Sequence, residues 1–294
     1  MLSICVPSYE YDVAPLVLNL RTQMARLDVP CELLVYDDAS PRVPGWWEER
    51  AKLTGPGIEL KRLPQNLGRA AIRNRLVRDA RYPNVLLLDA DGWPGDHFLQ
   101  NYLRAVRDHR TAQNLLLIGG RTYAPSPPAD PDLHLHWWYG HRRESTGHAH
   151  RRDPFAGFQS NNFLASRQLL LDHSFPETAV GYGHEDTLWG QQLRDQDITL
   201  ARIDNPVIHL GLEPANTFLS KQHQAIDNLV RLRVAHPFLT TSLTRLTDRA
   251  PFAPFLARLL PERWLVRYLT GRPRPNLRAL DILKLSWYNS GRPA

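Results

Sequence analysis

Acidic residues follow two apolar runs in the first hundred positions of this sequence. Asp89 and Asp91 come after the run at 86–88, and Asp37-Asp38 comes after the run at 32–36. In an extended segment, carboxylates at i and i+2 can take different roles: one binds a divalent cation, and the other reaches a hydroxyl or a metal-bound water. Carboxylate ligands that leave positions open for water suit Mg²⁺ or Mn²⁺ bridging a diphosphate.

Each acidic pair also has a purely structural interpretation. Asp91 precedes Gly92, and Asp-Gly pairs are common in the turns that end strands. Asp37, Asp38 and Ser40 are residue types that cap a following helix. The functional alternative for Asp37-Asp38 is a carboxylate that accepts hydrogen bonds from a uracil N–H or a ribose hydroxyl. On the residues alone, both interpretations stay open.

A third group of polar residues surrounds a predicted helix start. Asn66 precedes Gly68, and Arg69 and Arg73 lie on successive turns of the helix that follows. A free helix N-terminus with an arginine in its first turn favours anions such as a nucleotide diphosphate. The alternative is an ordinary surface cap with solvated arginines.

A third acidic pair ends the run Gly-Tyr-Gly-His-Glu-Asp at 181–186. The two glycines permit a tight turn, and Glu185-Asp186 would begin a helix. Acidic residues in a first turn often only complement the helix dipole. At the rim of an aromatic-lined crevice, however, such a carboxylate is well placed as a general base toward a hydroxyl.

A histidine closes the group of candidate residues. His209 follows the apolar run at 206–208, where a single histidine is more often a structural hydrogen-bond donor than a ligand. In the company of Asp91 and diphosphate oxygens, it would complete a plausible Mn²⁺ shell.

These side chains need elements to position them, and the first 120 residues alternate short apolar runs with helical patterns. The alternation predicts an α/β fold with a mostly parallel sheet and helices on both faces. Because ligands bind at the carboxyl ends of the strands in such sheets, both early acidic clusters are expected at one crevice. The predicted strands are 2–6, 32–36, 58–63, 84–88 and 114–119, and the predicted helices are 13–27, 46–53, 68–81 and 96–109.

The stretch 121–154 breaks this pattern. It is rich in Pro, His and Arg, it contains Trp137 and Trp138, and its length predicts a long loop over the crevice. Its histidines match no closed zinc site, and no Cys accompanies them. Further strands are predicted at 163–166, 198–201 and 207–209, and further helices at 186–195 and 215–234.

Composition restricts the class of protein. The 294 residues are 43% hydrophobic and 22% charged, as is usual for a globular chain with a sizeable core. No stretch reaches the ~18–20 apolar residues of a membrane span, and the N-terminus lacks the basic start of a secretory signal. Cys5 and Cys31 form no metal or disulfide pattern, which predicts two buried thiols in a reducing compartment. We therefore expect a cytoplasmic protein.

The positive charge is concentrated at the C-terminus. Residues 237–294 hold ten basic and three acidic residues, whereas residues 1–236 hold 26 basic and 27 acidic ones. We predict one domain over 1–236 and a basic helical extension over 237–294. This tail either contacts anionic lipid at the inner face of the membrane or packs on the first domain with its arginines solvated. The apolar residues interleaved with its charges are Trp264, Leu265, Tyr268, Leu280, Leu283 and Trp287.

Taken in order, these motifs resemble the family 2 glycosyltransferases, which have the GT-A fold. The resemblance covers residues 1–235, and Glu10 departs from it, since an Asn usually follows the Tyr. The 181–186 turn also looks like the glycine-rich Glu-Asp segment of galactosyltransferase-type C-terminal regions. The matching elements are Val6-Pro-Ser-Tyr9, Asp37-Asp38-Ala-Ser40, Asn66-Leu-Gly68, Asp89-Ala-Asp91, Asn161-Asn162-Phe163, the 181–186 turn and His209.

The resemblance implies a metal-dependent, inverting transfer of a sugar from a nucleotide-diphosphate donor, expected to be a UDP-sugar. The implied acceptor is a hydroxyl of a saccharide or lipid-linked saccharide, and the implied process is the biosynthesis of cell-envelope polysaccharide. Asp186 would be the catalytic base with Glu185 orienting the acceptor, and Asp91 and His209 would bind Mn²⁺ or Mg²⁺. The expected donor-binding residues are Pro7, Tyr9, Asp37, Asp38, Asn66, Arg69, Arg73 and Asp89. The expected acceptor-binding residues are Trp137, Trp138, Asn162 and His184.

Two other classes of function compete with this one. The chain could be a non-catalytic nucleotide-sugar-binding subunit of a polysaccharide-assembly complex, with Glu185-Asp186 only capping a helix. Nucleic-acid binding is disfavoured, because phosphate backbones need basic residues facing the ligand and the predicted crevice is acidic. No nucleic-acid partner is therefore expected.

Overall fold

A computed structural model of the chain describes residues 1–145, 153, 155, 157–178 and 181–290. The chain forms two compact units. The first comprises Met1–Thr122, Gln159–Glu177 and Gln192–Gly211, and the second comprises Tyr123–Phe158, Thr178–Gln191 and Leu212–Ala294. The boundary predicted between residues 236 and 237 falls inside the second unit and stays a prediction.

The first unit is built on a seven-stranded sheet with strand order β3-β2-β1-β4-β8-β6-β9. Only β8 runs antiparallel to its neighbours β4 and β6, and the other pairs are parallel. The predicted mostly parallel α/β sheet is therefore confirmed. Its strands are β1 (Leu2–Ser8), β2 (Cys31–Asp37), β3 (Ile58–Arg62), β4 (Asn84–Leu88), β6 (Leu115–Ile118), β8 (Asn162–Ser166) and β9 (Thr199–Arg202).

Three short strands form a second sheet in this unit, with the order β5-β10-β7. They are β5 (Gly92–Trp93), β7 (Arg121–Thr122) and β10 (Val207–His209). β10 pairs antiparallel with β5 and parallel with β7. The sequence predicted β10 but neither of its two-residue partners.

Helices cover the large sheet because its central strands are apolar on both faces. Val85 to Leu88 of β4 are all completely buried, which is the pattern of a strand with helices on either side. The helix predicted at 46–53 is two short helices that separate at Glu49. The helices of this unit are α1 (Ala14–Met24), α2 (Gly45–Glu48), α3 (Arg50–Leu53), α4 (Arg69–Asp79), α5 (Phe98–Asp108) and α7 (Arg167–Asp172).

The second unit is helical. The predicted long loop at 121–154 is wrong for its central part, where α6 (His134–Tyr139) is followed by a wider helical turn, Gly140–Glu144. Residues 146–152 and 154 of that stretch lie outside the described residues. The other helices that begin here are α8 (Glu185–Gln192), α9 (Ala215–Ala235), α10 (Ser242–Arg249), α11 (Ala253–Ala257), α12 (Glu262–Thr270) and α13 (Arg278–Ser290).

The core of the second unit lies between α9 and α13. Leu229 of α9 and Leu283 of α13 are completely buried, and Leu280 and Trp287 are nearly so. Three of the apolar residues that the sequence offered as a lipid-facing tail surface, Leu280, Leu283 and Trp287, therefore belong to a protein core. Among the described residues, no helix is long and apolar enough to cross a membrane.

The two cysteines are free, but they differ in burial. Cys5 is buried in the sheet, as predicted, whereas Cys31 at the start of β2 is partly exposed. Burial is the main cause that raises the pKa of the Cys5 thiol, with added repulsion from the Glu32 charge.

Candidate functional site

Two predicted metal ligands meet beyond the end of β4. The strand ends at Leu88, and the chain then turns through Asp89 and Asp91 into β5. Because β5 pairs with β10, the backbone N–H of Leu210 donates to the Asp91 carbonyl at 2.8 Å. The carboxylate Oδ2 of Asp91 then lies 3.4 Å from Nδ1 of His209. The two short strands therefore position both side chains.

A glycine makes room for this carboxylate. A Cβ atom placed on Gly211 would clash with Oδ2 of Asp91, and it would lie 3.1 Å from Cβ of the same residue. Any larger side chain at position 211 would have to displace the acidic group. Sequence reasoning missed Gly211, although its position two residues after His209 was an available signal.

Several charges act on Asp91. Burial by itself would raise the pKa of this carboxyl group, but the hydrogen bond and charge of His209, together with the charges of Arg121 and Arg69, lower it overall. Asp91 is therefore held as an anion. Arg121, in β7, was not singled out from the sequence, because no spacing pattern links it to the acidic residues.

The pair fits a divalent cation that shares its coordination with a ligand. One carboxylate oxygen and one imidazole nitrogen suit Mn²⁺ or Mg²⁺, which keep further positions for water and phosphate oxygens. Within the described residues, no group of three His, Cys, Asp or Glu side chains could hold a metal. The described protein residues thus offer a partial shell, to which a diphosphate could add.

Asp89 has a different partner. Its Oδ1 accepts a hydrogen bond from Nη2 of Arg73 at 2.7 Å, and Arg73 is almost completely buried beside the Phe175 ring. The Arg73 guanidinium is therefore committed to Asp89 in this structure. Arg69, at the start of α4, lies near enough to Asp91 to influence its charge.

Asp37 and Asp38 both hold neighbouring loops. Asp38 accepts hydrogen bonds from the backbone N–H groups of Leu67 and Gly68 at 2.7 and 2.9 Å, and Asn66 donates to the Asp38 carbonyl. Burial raises the pKa of Asp38 despite these bonds. Asp37 has no exposed surface and bonds Ser40 and Arg62. It therefore offers no surface to a ligand in this structure.

The loop after β1 carries an accessible aromatic ring. Tyr9 is 48% exposed, directly beyond the end of the strand, and Pro7 is partly exposed. Glu10 has a positive φ of 49°, and its N–H donates to Ser40 Oγ at 2.7 Å. Asn adopts this conformation more readily than Glu, which gives a physical reason for an Asn after the Tyr.

In the second unit, the 181–186 turn is anchored on α9. Asn228 of α9 donates to the Gly183 carbonyl at 2.5 Å, and a Cβ on Gly183 would lie 2.7 Å from the Ala225 side chain. Gly183 and His184 both have positive φ, at 90° and 68°. The tight turn therefore depends on a glycine where it touches α9.

The two acidic residues of the turn differ in access. Glu185 is buried, whereas Asp186 is partly exposed and accepts a hydrogen bond from the Thr187 N–H at 2.7 Å. Of the two, Asp186 has more surface to offer a substrate. An open cavity of about 410 Å³ lies beside the turn, and it is lined by Gly181, Tyr182, Gln224, Asp227 and Arg231.

His184 is kept neutral. Burial and, to a lesser extent, the positive charge of Lys284 lower the pKa of its imidazole, Glu185 opposes them, and together they bring the pKa from 6.5 to about 4. Thr187 Oγ1 lies 3.5 Å from Nδ1 of this ring.

Two of the expected acceptor-binding residues are buried in this structure. Asn162 is completely buried, and its amide bonds Tyr102, Gly120 and Asn205. Trp137 is also buried and donates to the Ala124 carbonyl at 2.8 Å. Because both are buried, neither leaves much surface for an acceptor. The sequence pattern did not reveal this burial.

Trp138 is partly exposed, unlike Trp137. Its indole donates to the Pro275 carbonyl at 3.1 Å, and the guanidinium of Arg142 lies 4.5 Å from the centre of its ring. The ring therefore sits in a basic surrounding within the second unit.

Comparison with known proteins agrees with these features. The family model for glycosyl transferase family 2 matches residues 3–172, which is more than half of the chain. No curated protein matches the chain. Among solved structures, the chain is similar to the mannosyltransferase PcManGT from Pyrobaculum calidifontis in complex with GDP-Man and Mn²⁺, with 16% identity, coverage of 98% of this chain and 86% of that one, and a TM-score of 0.56.

Two further solved structures are more distant. S. aureus TarS residues 1–349 in complex with UDP has 17% identity over 99% of this chain and 92% of that one, with a TM-score of 0.49. Glucosyl-3-phosphoglycerate synthase from Mycobacterium tuberculosis, with Mn²⁺, UDP and glucosyl-3-phosphoglycerate, has 15% identity over 79% of each chain and a TM-score of 0.48.

Proposed function

The chain belongs to glycosyl transferase family 2 and is a nucleotide-sugar glycosyltransferase with the GT-A fold, and we propose that it uses a divalent cation and inverts the anomeric carbon of the transferred sugar. The donor is a UDP-sugar, and the acceptor is a hydroxyl of a saccharide or lipid-linked saccharide. The observation that carries this proposal is the approach of Asp91 Oδ2 to His209 Nδ1 at 3.4 Å.

On the donor side, Asp91 and His209 hold the cation, which when bound neutralises negative charge on the leaving diphosphate. Tyr9 offers its exposed ring to the nucleotide, and the partly exposed Pro7 lies near it at the end of β1. Asp38 acts through the loop at 66–68, whose N–H groups it fixes. Arg73 keeps Asp89 oriented through their 2.7 Å ion pair, so that Asp89 is pre-positioned toward the donor.

On the acceptor side, Asp186 removes the proton from the attacking hydroxyl. A hydroxyl is a weak nucleophile, and a carboxylate within hydrogen-bond reach raises its reactivity as it attacks the anomeric carbon opposite the phosphate. A single displacement of this kind inverts the configuration. Glu185 and His184 shape the turn that carries Asp186, and Trp138 is the partly exposed aromatic side chain available to a sugar.

A panel of nucleotide sugars tests the proposal. The purified chain is incubated with UDP- and GDP-sugars and candidate acceptors, with Mn²⁺, with Mg²⁺ or with a chelator, and nucleotide release is measured. We expect release from a UDP-sugar that requires the metal and increases with acceptor. Release that persists unchanged in chelator would contradict the role of the cation, and preference for a GDP-sugar would contradict the choice of donor.

A further inference from the structure

The second unit exposes an unusual number of large apolar side chains between α10 and α12. Phe252, Phe255 and Leu259 are each at least 63% exposed, as is Trp264 at the start of α12. Exposed single apolar residues are ordinary, but contiguous exposed apolar surface marks a site of interaction. We call the residues of this group the apolar strip; they are Phe252, Phe255, Leu256, Leu259, Leu260 and Trp264.

Most of the strip lies in and around one short helix. Phe255 and Leu256 lie in the short helix α11 (Ala253–Ala257), Phe252 precedes it, and Leu259 and Leu260 lie in the turn that follows it. Leu256 N–H donates to the Phe252 carbonyl at 3.1 Å, and beyond the end of the helix Leu260 N–H donates to the Ala257 carbonyl at 3.3 Å in a tighter turn. A compact series of turns therefore carries these exposed side chains close together in the chain.

The amphipathic pattern of this segment is inverted. Its small residues Pro254 and Ala257 are buried against the rest of the unit, while the bulky residues of the strip face water. A helix that only stabilised its own domain would bury the large residues, because each is worth about 1.5–3 kcal/mol on burial. The arrangement indicates that another apolar phase covers the strip.

Positive charge surrounds the strip. Arg249, Arg258, Arg263 and Arg267 are exposed. The two acidic residues of the region have other partners: Asp248 binds Arg233 at 2.6 Å, and Glu262 accepts a hydrogen bond from the Trp287 indole at 3.0 Å. An apolar face with aromatic residues and flanking arginines complements an anionic lipid surface.

We propose that the apolar strip inserts into the interfacial layer of an anionic membrane, with the flanking arginines against the lipid phosphates. This surface differs from the one that the sequence suggested, since Leu280, Leu283 and Trp287 are buried. A second copy of the chain is a poorer occupant, because a symmetric contact would bring the same arginines of both copies together. The proposal is independent of the transfer reaction.

Vesicle flotation of the full chain tests this surface without any nucleotide sugar. The vesicles are pure phosphatidylcholine or phosphatidylcholine with about 30% phosphatidylglycerol, at low salt. We expect the chain to float with the anionic vesicles and far less with the neutral ones. Phe252→Ser with Phe255→Ser should lower the partition coefficient at least about tenfold. Arg258→Gln with Arg263→Gln should lower it on anionic vesicles in particular.

Matched control variants distinguish binding through this surface from nonspecific binding to the vesicles. Leu18→Ser with Val43→Ser removes two exposed apolar side chains of the first unit, and Arg26→Gln with Arg42→Gln removes two exposed charges there. Both control variants should float like the wild type. All the changed residues are exposed, so unchanged thermal unfolding is expected and is measured on every variant.

Three results would overturn the proposal. The wild-type chain could fail to float on anionic vesicles, or the Phe252→Ser, Phe255→Ser variant could float as well as the wild type. Sedimentation could also show that the wild type is a dimer and the variant a monomer, while neither protein floats. That result would identify a second copy as the occupant. Loss of transferase activity in any assay changes none of these outcomes.

Discussion

Oδ2 of Asp91 lies 3.4 Å from Nδ1 of His209, although the two residues come from distant parts of the chain. Their approach results from the pairing of two very short strands, β5 and β10, beyond the end of the large sheet. The lowered pKa of Asp91 keeps the carboxylate ionised beside the imidazole, which is the form that a cation needs.

Removing either side chain of this pair should abolish metal-dependent turnover. Asp91→Asn and His209→Ala should each lower kcat by about a hundredfold or more, because charge on the leaving group loses its stabilisation. Titration of Mn²⁺ in the presence of UDP, followed by electron paramagnetic resonance, measures the accompanying loss of binding. Wild-type Mn²⁺ affinity in both variants would exclude the pair as the metal site.

Gly211 should be required for Mn²⁺ binding at the same site because it has no side chain. Gly211→Ala places a methyl group against the Asp91 carboxylate, so Mn²⁺ affinity should fall about tenfold or more, as for other changes that misorient a ligand. Gly95→Ala is the matched control, because a Cβ there meets nothing within 4 Å. Equal Mn²⁺ affinity in the two variants would show that Asp91 moves aside without consequence.

The large sheet could be predicted because its central strands, such as β4 and β6, contain short apolar runs. β4 matches its predicted range of 84–88, and β10 matches 207–209. β5 and β7 have only two residues each and carry no pattern; they exist because β10 lies between them. Pairing that depends on tertiary position leaves no periodic signal in the sequence.

The candidate site could be predicted less completely than the sheet. Residue types and strand ends placed Asp91 and His209 in one neighbourhood, because carboxyl ends of strands converge. The sequence could not separate Trp137, which is buried, from Trp138, which is partly exposed. It also could not reveal that the Asn162 amide forms hydrogen bonds with Tyr102, Gly120 and Asn205, since burial of a polar side chain depends on distant partners.

The neutral His184 should make stability depend on pH in the acidic range. Its pKa is about 4 in the folded chain and near 6.5 when exposed, so between these values the unfolded state binds more protons. The contribution of His184 to the free energy of unfolding should therefore be fully present above about pH 6.5. It should be lost as the pH decreases toward 4, which lowers the free energy of unfolding by up to about 3 kcal/mol.

His184→Asn separates this contribution from that of the carboxylates. Asn tolerates the positive φ of the position, and it does not titrate, so urea unfolding at a series of pH values should show a flatter acidic limb than the wild type. His97→Asn, at an exposed position, should retain the wild-type slope. Identical slopes in all three proteins would mean that His184 takes up its proton as easily folded as unfolded.

Asp186 should be needed for chemistry and not for donor binding. Asp186→Asn keeps the size of the side chain and an oxygen that can accept from the Thr187 N–H, so the turn should remain folded. Without a base, kcat should fall about 10²–10⁴-fold, while the affinity for UDP with Mn²⁺, measured by calorimetry, should stay within about twofold because the variant leaves Asp91 and His209 unchanged.

Glu185→Gln gives the comparison that assigns the base. Glu185 is buried, so its replacement should change KM or stability more than the proton-transfer step. A pH profile of kcat distinguishes the two variants, because only loss of the base should remove the acidic limb of that profile. If Asp186→Asn retained wild-type turnover and its acidic limb, another group would have to accept the proton of the acceptor hydroxyl.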